Sequence, residues 1–180
     1  HQFIFEDQNG AEINNGESIT VIEGGTIAET VFAKMQKETD KLKADNESFF
    51  VWVDKANTGK VYNETTVISS QTAEKVTLIP VYRTNVIEGT DGSSIAADDF
   101  VIHVNDVGKL TAIDAKNRAY VKAYDANGND ITATVAVDQD KLDELTAKGK
   151  GIYPAALTFK AGTGVATSIT VEVTDDNPTV

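Results

Sequence analysis

Residues 124–137 read YDANGNDITATVAV. Two opposed readings fit these letters. Asp125, Asn127 and Asn129 set oxygen-bearing side chains at alternate positions beside Gly128, as at the start of a calcium loop. The same letters write a tight turn between two strands, because Asn and Gly tolerate positive φ. Spacing separates the two. With Asp125 as the first position of a calcium loop, the sixth position, which should be glycine, is Asp130. The twelfth, which should be a bidentate glutamate, is Ala136. Strand-like alternation has already resumed at Ile131. The stretch is therefore read as a hairpin in which Tyr124 ends one strand, Asn127-Gly128 turns the chain and Ile131 starts the next.

Working outward, short alternating runs recur on both sides: 100–104 (FVIHV), 119–124 (AYVKAY), 131–137 (ITATVAV), 156–160 (ALTFK) and 168–173 (SITVEV). Strand-sized runs separated by turn signals predict a β-sandwich. The segment DQDKLDELTAKGKG (138–151) interrupts them as a short helical turn, read as carrying the chain from one sheet to the other. The final TDDNPTV (174–180) reads as a tail or a linker.

The first half has a different rhythm. Phe3-Ile4-Phe5, a turn at Gln8-Asn9-Gly10 and the run 18–22 (SITVI) predict a hairpin. From Thr26 the period becomes helical, through Ile27, Val31, Met35 and Leu42. Thr26 with Glu29 three residues on has capping-box spacing, so a helix of about 15 residues is expected. Its charged face reads as a solvated face. Phe49-Phe50-Val51-Trp52-Val53 is a strand with an aromatic on each face, DKANTGK (54–60) a loop, and Val67-Ile68 and 76–82 (VTLIPVY) further strand material. The expected order is a small sheet with one helix packed across it. Trp52 beside Phe50 is read as a core anchor rather than an exposed platform. The polar, glycine-bearing segment RTNVIEGTDGSSI (83–95) predicts an exposed linker. The chain thus divides into residues 1–84, α+β, and 85–180, all-β.

Composition narrows the function. The chain has 180 residues and a net charge of −12. Residues 1–84 hold 8 basic and 13 acidic side chains, and residues 85–180 hold 8 and 15, so neither half has a basic patch. Such a surface repels phosphate backbones and anionic lipid, so neither nucleic-acid binding nor membrane insertion is expected. The absence of cysteine removes disulfides, thiolate metal sites and cysteine nucleophiles. With only His1 and His103, imidazole metal sites and most histidine acid–base chemistry are excluded as well.

Asp98-Asp99, Asp138-Asp140-Asp143-Glu144 and Asp175-Asp176 supply carboxylates that a glycosidase could use. Nothing in their spacing sets two of them across one cleft, so they read as solvated surface. Asp91, Asp98 or Asp99 at the joint between the halves is a weaker calcium reading. KAGTGVAT (160–167) lacks the Lys-Ser/Thr of a phosphate loop and reads as a turn around Gly162 and Gly164. Asn46 and Asn63 match the glycosylation acceptor pattern. A Lys122 or Lys160 isopeptide bond to Asn177 is set against the usual exposure of both residue types. No catalytic residue, metal ligand or cofactor is assigned.

Four stretches of the first half, FIFEDQNGAEI, ITVIEGGTIAE, FFVWVDKANTGKVYNETTVI and VTLIPVY, resemble the β-grasp repeats of Gram-positive surface proteins known as internalin B-type repeats. VKAYDANGNDITATVAV and KGIYPAALTFKAGTGVATSITVEVTDD are similar to bacterial immunoglobulin-like domains of cell-wall proteins. The resemblance implies a β-grasp-like module followed by an immunoglobulin-like sandwich, in an extracellular, cell-surface or cell-wall setting. It implies a non-catalytic spacer and adhesive segment touching a host glycan, a host protein or neighbouring repeats. The alternatives are accessory domains of a large secreted glycoside hydrolase or protease, or a carbohydrate-binding module. The residues expected to carry the structure are Phe50, Trp52 and Tyr82 in the first core, and Tyr153, Leu157 and Phe159 in the second.

Overall fold

The computed structural model describes residues 1–176. The chain is β-rich with few helices. Its first sheet holds β1 (Gln2–Phe5), β2 (Ile19–Thr20), β3 (Ser48–Asp54), β4 (Asn57–Tyr62) and β5 (Lys75–Arg83), in the order β2-β1-β5-β3-β4. β1 and β5 are parallel, and the other neighbours antiparallel. The expected first hairpin forms with Phe3 opposite Ile19. The loop expected at 54–60 is shorter than read, because β4 begins at Asn57. Val67-Ile68 is not a strand. Ile68 exchanges backbone hydrogen bonds with Gly24 and Gly25 and is fully buried as a plug in the core.

The helix α1 (Glu29–Thr39) packs across one face of this sheet. It starts later than its sequence suggests. Thr26 does not cap it; Ala28 is the N-cap, and its carbonyl accepts from Val31 and Phe32 at 3.0 and 3.4 Å. The later start moves the buried stripe to Phe32, Met35 and Thr39, spaced i, i+3, i+7. Ile27 anchors the chain just before the helix, whereas Leu42 stands exposed in a short 3₁₀ turn (Asp40–Leu42). The core beneath is aromatic. Trp52 is 2% exposed and meets Phe5 edge-on, ring centroids 5.0 Å apart. Tyr82 lies at its rim, its hydroxyl donating to Asp40 Oδ1 at 2.5 Å.

Two further sheets follow. β6 (Ile87–Glu88), β7 (Ser94–Ala96) and β9 (Lys122–Tyr124) form one, in the order β6-β7-β9. β8 (Phe100–His103), β10 (Ala136–Val137), β11 (Gly151–Lys160) and β12 (Ala166–Thr174) form the other, in the order β10-β11-β12-β8, with β8 and β12 parallel. Ile95 and Ala123 of the three-stranded sheet share a core with Leu157, Phe159, Ile169, Val171 and Val173 of the four-stranded one. Leu157 and Phe159 are fully buried as expected; Tyr153 is only partly buried, packed at that core's margin.

Three small helices close this core: α2 (Val104–Val107), α3 (Ala112–Arg118) and α4 (Gln139–Thr146). α3 overturns part of the strand expected over 119–124, of which only Lys122–Tyr124 pairs. The helix ends in a Schellman arrangement: Val121 N donates to Lys116 O, and Tyr120 N to Asn117 O. Tyr120 takes the left-handed conformation there, φ 47°. α4 joins β10 to β11 within one sheet, so it is not the crossing between sheets.

Candidate functional site

The stretch 124–137 itself makes one of the crossings, from β9 in the three-stranded sheet to β10 in the four-stranded one. The expected hairpin begins as read: Asp130 pairs with Tyr124 across the turn, and Ile131 N donates to Ala123 O at 2.9 Å. It then stops. Asp130 Oδ1 accepts from Thr132 N, and the chain winds through a 3₁₀ turn (Thr132–Thr134) before β10 pairs with β11 in the other sheet. Side chains that bond their own backbone compete with a sheet ladder, and here they win.

The turn is not loose on the surface. It is laid along the outer edge of β4, the edge strand of the first sheet. Lys60 pairs with Asn129, and Val61 N donates to Gly128 O at 3.1 Å. Lys60 Nζ donates to Asn127 O at 2.7 Å, and Val67 N donates to Asn127 Oδ1 at 3.1 Å. Thr65 Oγ1 donates to Ala126 O. Burial in this contact lowers the Lys60 pKa, with the Asp125 charge opposing the shift. The turn covers a strand edge that would otherwise offer unpaired backbone groups. Only glycine fits at 128: φ is +81°, and a Cβ would stand 1.8 Å from Val61 O.

Beneath the turn the halves share an apolar seam. Phe50, Val51, Val53 and Val61 of the first sheet pack against Ala96 and Tyr124. The rings of Phe50 and Tyr124 lie 5.7 Å apart. Phe50 therefore belongs to this seam and not to the first core where it was expected. Phe49-Phe50-Val51-Trp52-Val53 is apolar without alternation because β3 is covered on both faces, by α1 on one and by the second half on the other.

A second tie lies at the end of β5. Arg83 Nε and Nη2 donate to Asp98 Oδ1 at 3.2 and 3.0 Å. Nη2 also reaches Tyr120 O at 2.8 Å, so the guanidinium satisfies a carbonyl at the C-terminus of α3, where the helix dipole favours a cation. The segment 83–95 expected as an exposed linker is instead paired and bonded. β6 and β7 form a short hairpin, Asn85 Nδ2 donates to Ala97 O at 2.9 Å, and Thr167 Oγ1 donates to Asn85 O at 2.6 Å.

The acidic residues singled out in the sequence are taken up in separate hydrogen bonds and ion pairs. Asp125 Oδ1 accepts from Asn127 N and Asn129 N at 3.0 and 2.9 Å, which shapes the turn. Asp91 Oδ1 accepts from Ser93 N at 2.9 Å, and Ser93 bonding holds its carboxyl below the usual range. Asp98 takes Arg83, while Asp99 Oδ1 accepts from Asn85 Nδ2 and Thr170 N. Asp138 caps α4 through Lys141 N, Asp143 accepts from Gln139, and Asp175 pairs with Lys150 at 2.9 Å. Among the described residues no group of three or more His, Cys, Asp or Glu is arranged to hold a metal ion. Gly164 turns β11 into β12. Asn63 bonds Thr65 and reaches Gly92 O at 3.4 Å, joining the same seam. Lys122 Nζ lies 3.6 Å from Asp130 Oδ2, and Asn177 lies outside the described residues.

Sequence reading missed the partner of the 124–130 turn. The unbroken apolar run at 49–53 was the available signal that β3 has two covered faces. Thr111 followed by Asp114 is the cap pattern of α3, where Thr111 Oγ1 accepts from Asp114 N at 3.2 Å. No protein-family model, curated protein or solved structure matches this chain.

Proposed function

We propose that this chain is a non-catalytic structural and adhesive segment of a bacterial cell-surface or secreted protein. In this reading a β-grasp-like module, residues 1–84, is locked to an immunoglobulin-like module, residues 85–180. The clamped seam carries the reading: a buried apolar contact, a turn seated on a strand edge and the Arg83 tie resist hinging between the halves. A stiff segment projects a distal site more effectively than a hinged one, because less orientational entropy is lost when that site binds. The order β2-β1-β5-β3-β4 with one helix across it supports the β-grasp assignment. Two sheets facing one core support the sandwich assignment. The sugar-platform alternative calls for a row of exposed rings, and among the described residues Tyr120 is the one aromatic in the set of prominently exposed large hydrophobics.

Small-angle scattering tests the stiffness. The native chain should fit a single arrangement of its halves. The variant Lys60→Ala/Thr65→Ala/Asn127→Ala, which removes the clamp's side-chain bonds, should need a spread of arrangements. A native profile that itself needs such a spread would overturn the reading.

A further inference from the structure

Beside the seam, between α1 and the β6–β7 hairpin, lies a cleft of about 270 Å³. That is just under the roughly 300–1,000 Å³ of sites that enclose a whole small molecule, and suits one long side chain. Three features of its wall are unexplained by folding. Glu29, Glu64 and Glu88 all line it, from three separate parts of the chain, and no Lys or Arg lines it with them. Burial, then the charges of Glu64 and Glu29, hold the Glu88 carboxyl above the usual range. Trp52 also lines it, and among the described residues Trp52 Nε1 is the one buried side-chain nitrogen or oxygen without a hydrogen-bond partner. Lastly, the pairing of β3 with β4 ends at Trp52 opposite Tyr62. On the β4 side, β3 from Val51 back to Ser48 therefore has no strand paired with it, and Phe49–Val51 form part of the cleft wall.

We propose that this cleft binds a lysine or arginine side chain presented by an extended peptide. The cation answers the three carboxylates, the peptide main chain adds to the free edge of β3, and a peptide carbonyl supplies the acceptor that the Trp52 indole lacks. This gives a ligand class to the contact role proposed above and rests on that reading only for the existence of a partner. Stiffness and binding are measured separately, so either can fail alone.

Trp52 is the single tryptophan of the chain, so its indole N–H resonance reports on the cleft without ambiguity. Acetyl-Val-Lys-Val-amide should shift that resonance saturably. The norleucine analogue, which lacks the charge, should bind about tenfold more weakly or worse. Glu64→Gln/Glu88→Gln should weaken the lysine peptide by about the same factor while leaving the unfolding temperature unchanged or raised, since like-charge repulsion is relieved. An indole resonance unmoved by millimolar peptide, equal binding of the norleucine analogue, or undiminished binding by the double variant would each overturn the proposal.

Discussion

Gly128→Ala should destabilise the chain by about 3 kcal/mol or more, far beyond an ordinary glycine replacement. Two costs combine. A residue with a Cβ at φ +81° costs about 1–2 kcal/mol on conformational grounds alone. The new methyl would also stand 1.8 Å from Val61 O and 2.8 Å from Val61 C, both main-chain atoms that cannot rotate aside. The turn must lift off β4, which breaks the 3.1 Å bond from Val61 N to Gly128 O and strains the Lys60–Asn127 contact. Gly164→Ala is the control. Its φ of +95° carries the same conformational cost, but a Cβ there meets nothing within 4 Å. Denaturant unfolding of both variants separates the clash from the backbone term. Equal losses would show that Gly128 matters only for its φ and not for its seat on Val61.

Trp52→Ala should cost about 3–5 kcal/mol, the range for emptying a buried aromatic site. Trp52 is 2% exposed and packs edge-on against Phe5 and beside Phe49. The loss should spread beyond the first core, because Trp52 lies in β3 and its strand neighbours Val51 and Val53 face the seam. Circular dichroism should therefore record a lowered midpoint for the whole chain rather than for a fraction of the signal. Trp52→Phe keeps a ring and removes the unpartnered N–H, so it should cost well under half as much. A loss below about 1 kcal/mol for Trp52→Ala would mean that β3 is not the shared spine of both halves.

Much of the local structure was legible because it is periodic. β3, β5, β8, β11 and β12 follow runs of strand character, and α1 falls within the stretch of helical period, with Met35 the one residue of the expected stripe that its buried face keeps. Where the reading failed, local bonds or distant contacts decided. ITATVAV alternates like a strand, yet Asp130 and the carbonyl of Ile131 take up Thr132 N and Thr134 N and wind it instead. Residues 83–95 look like a linker by composition, but Asn85 and Arg83 are held by partners in 97–98 and 120. A turn signal such as Asn127-Gly128 says that the chain reverses. It does not say that Val61, far upstream, lies against the glycine. The cleft was hidden for the same reason: Glu29, Glu64 and Glu88 are far apart in the sequence and line one cleft only once the chain is folded.

The central claim is that the 124–130 turn and the seam beneath it make the two halves one rigid body. Backbone ¹⁵N relaxation measures this most directly. Residues 1–84 and 97–174 should report a single rotational diffusion tensor. Separate tensors for the two ranges, with correlation times near those of independent halves, would contradict it.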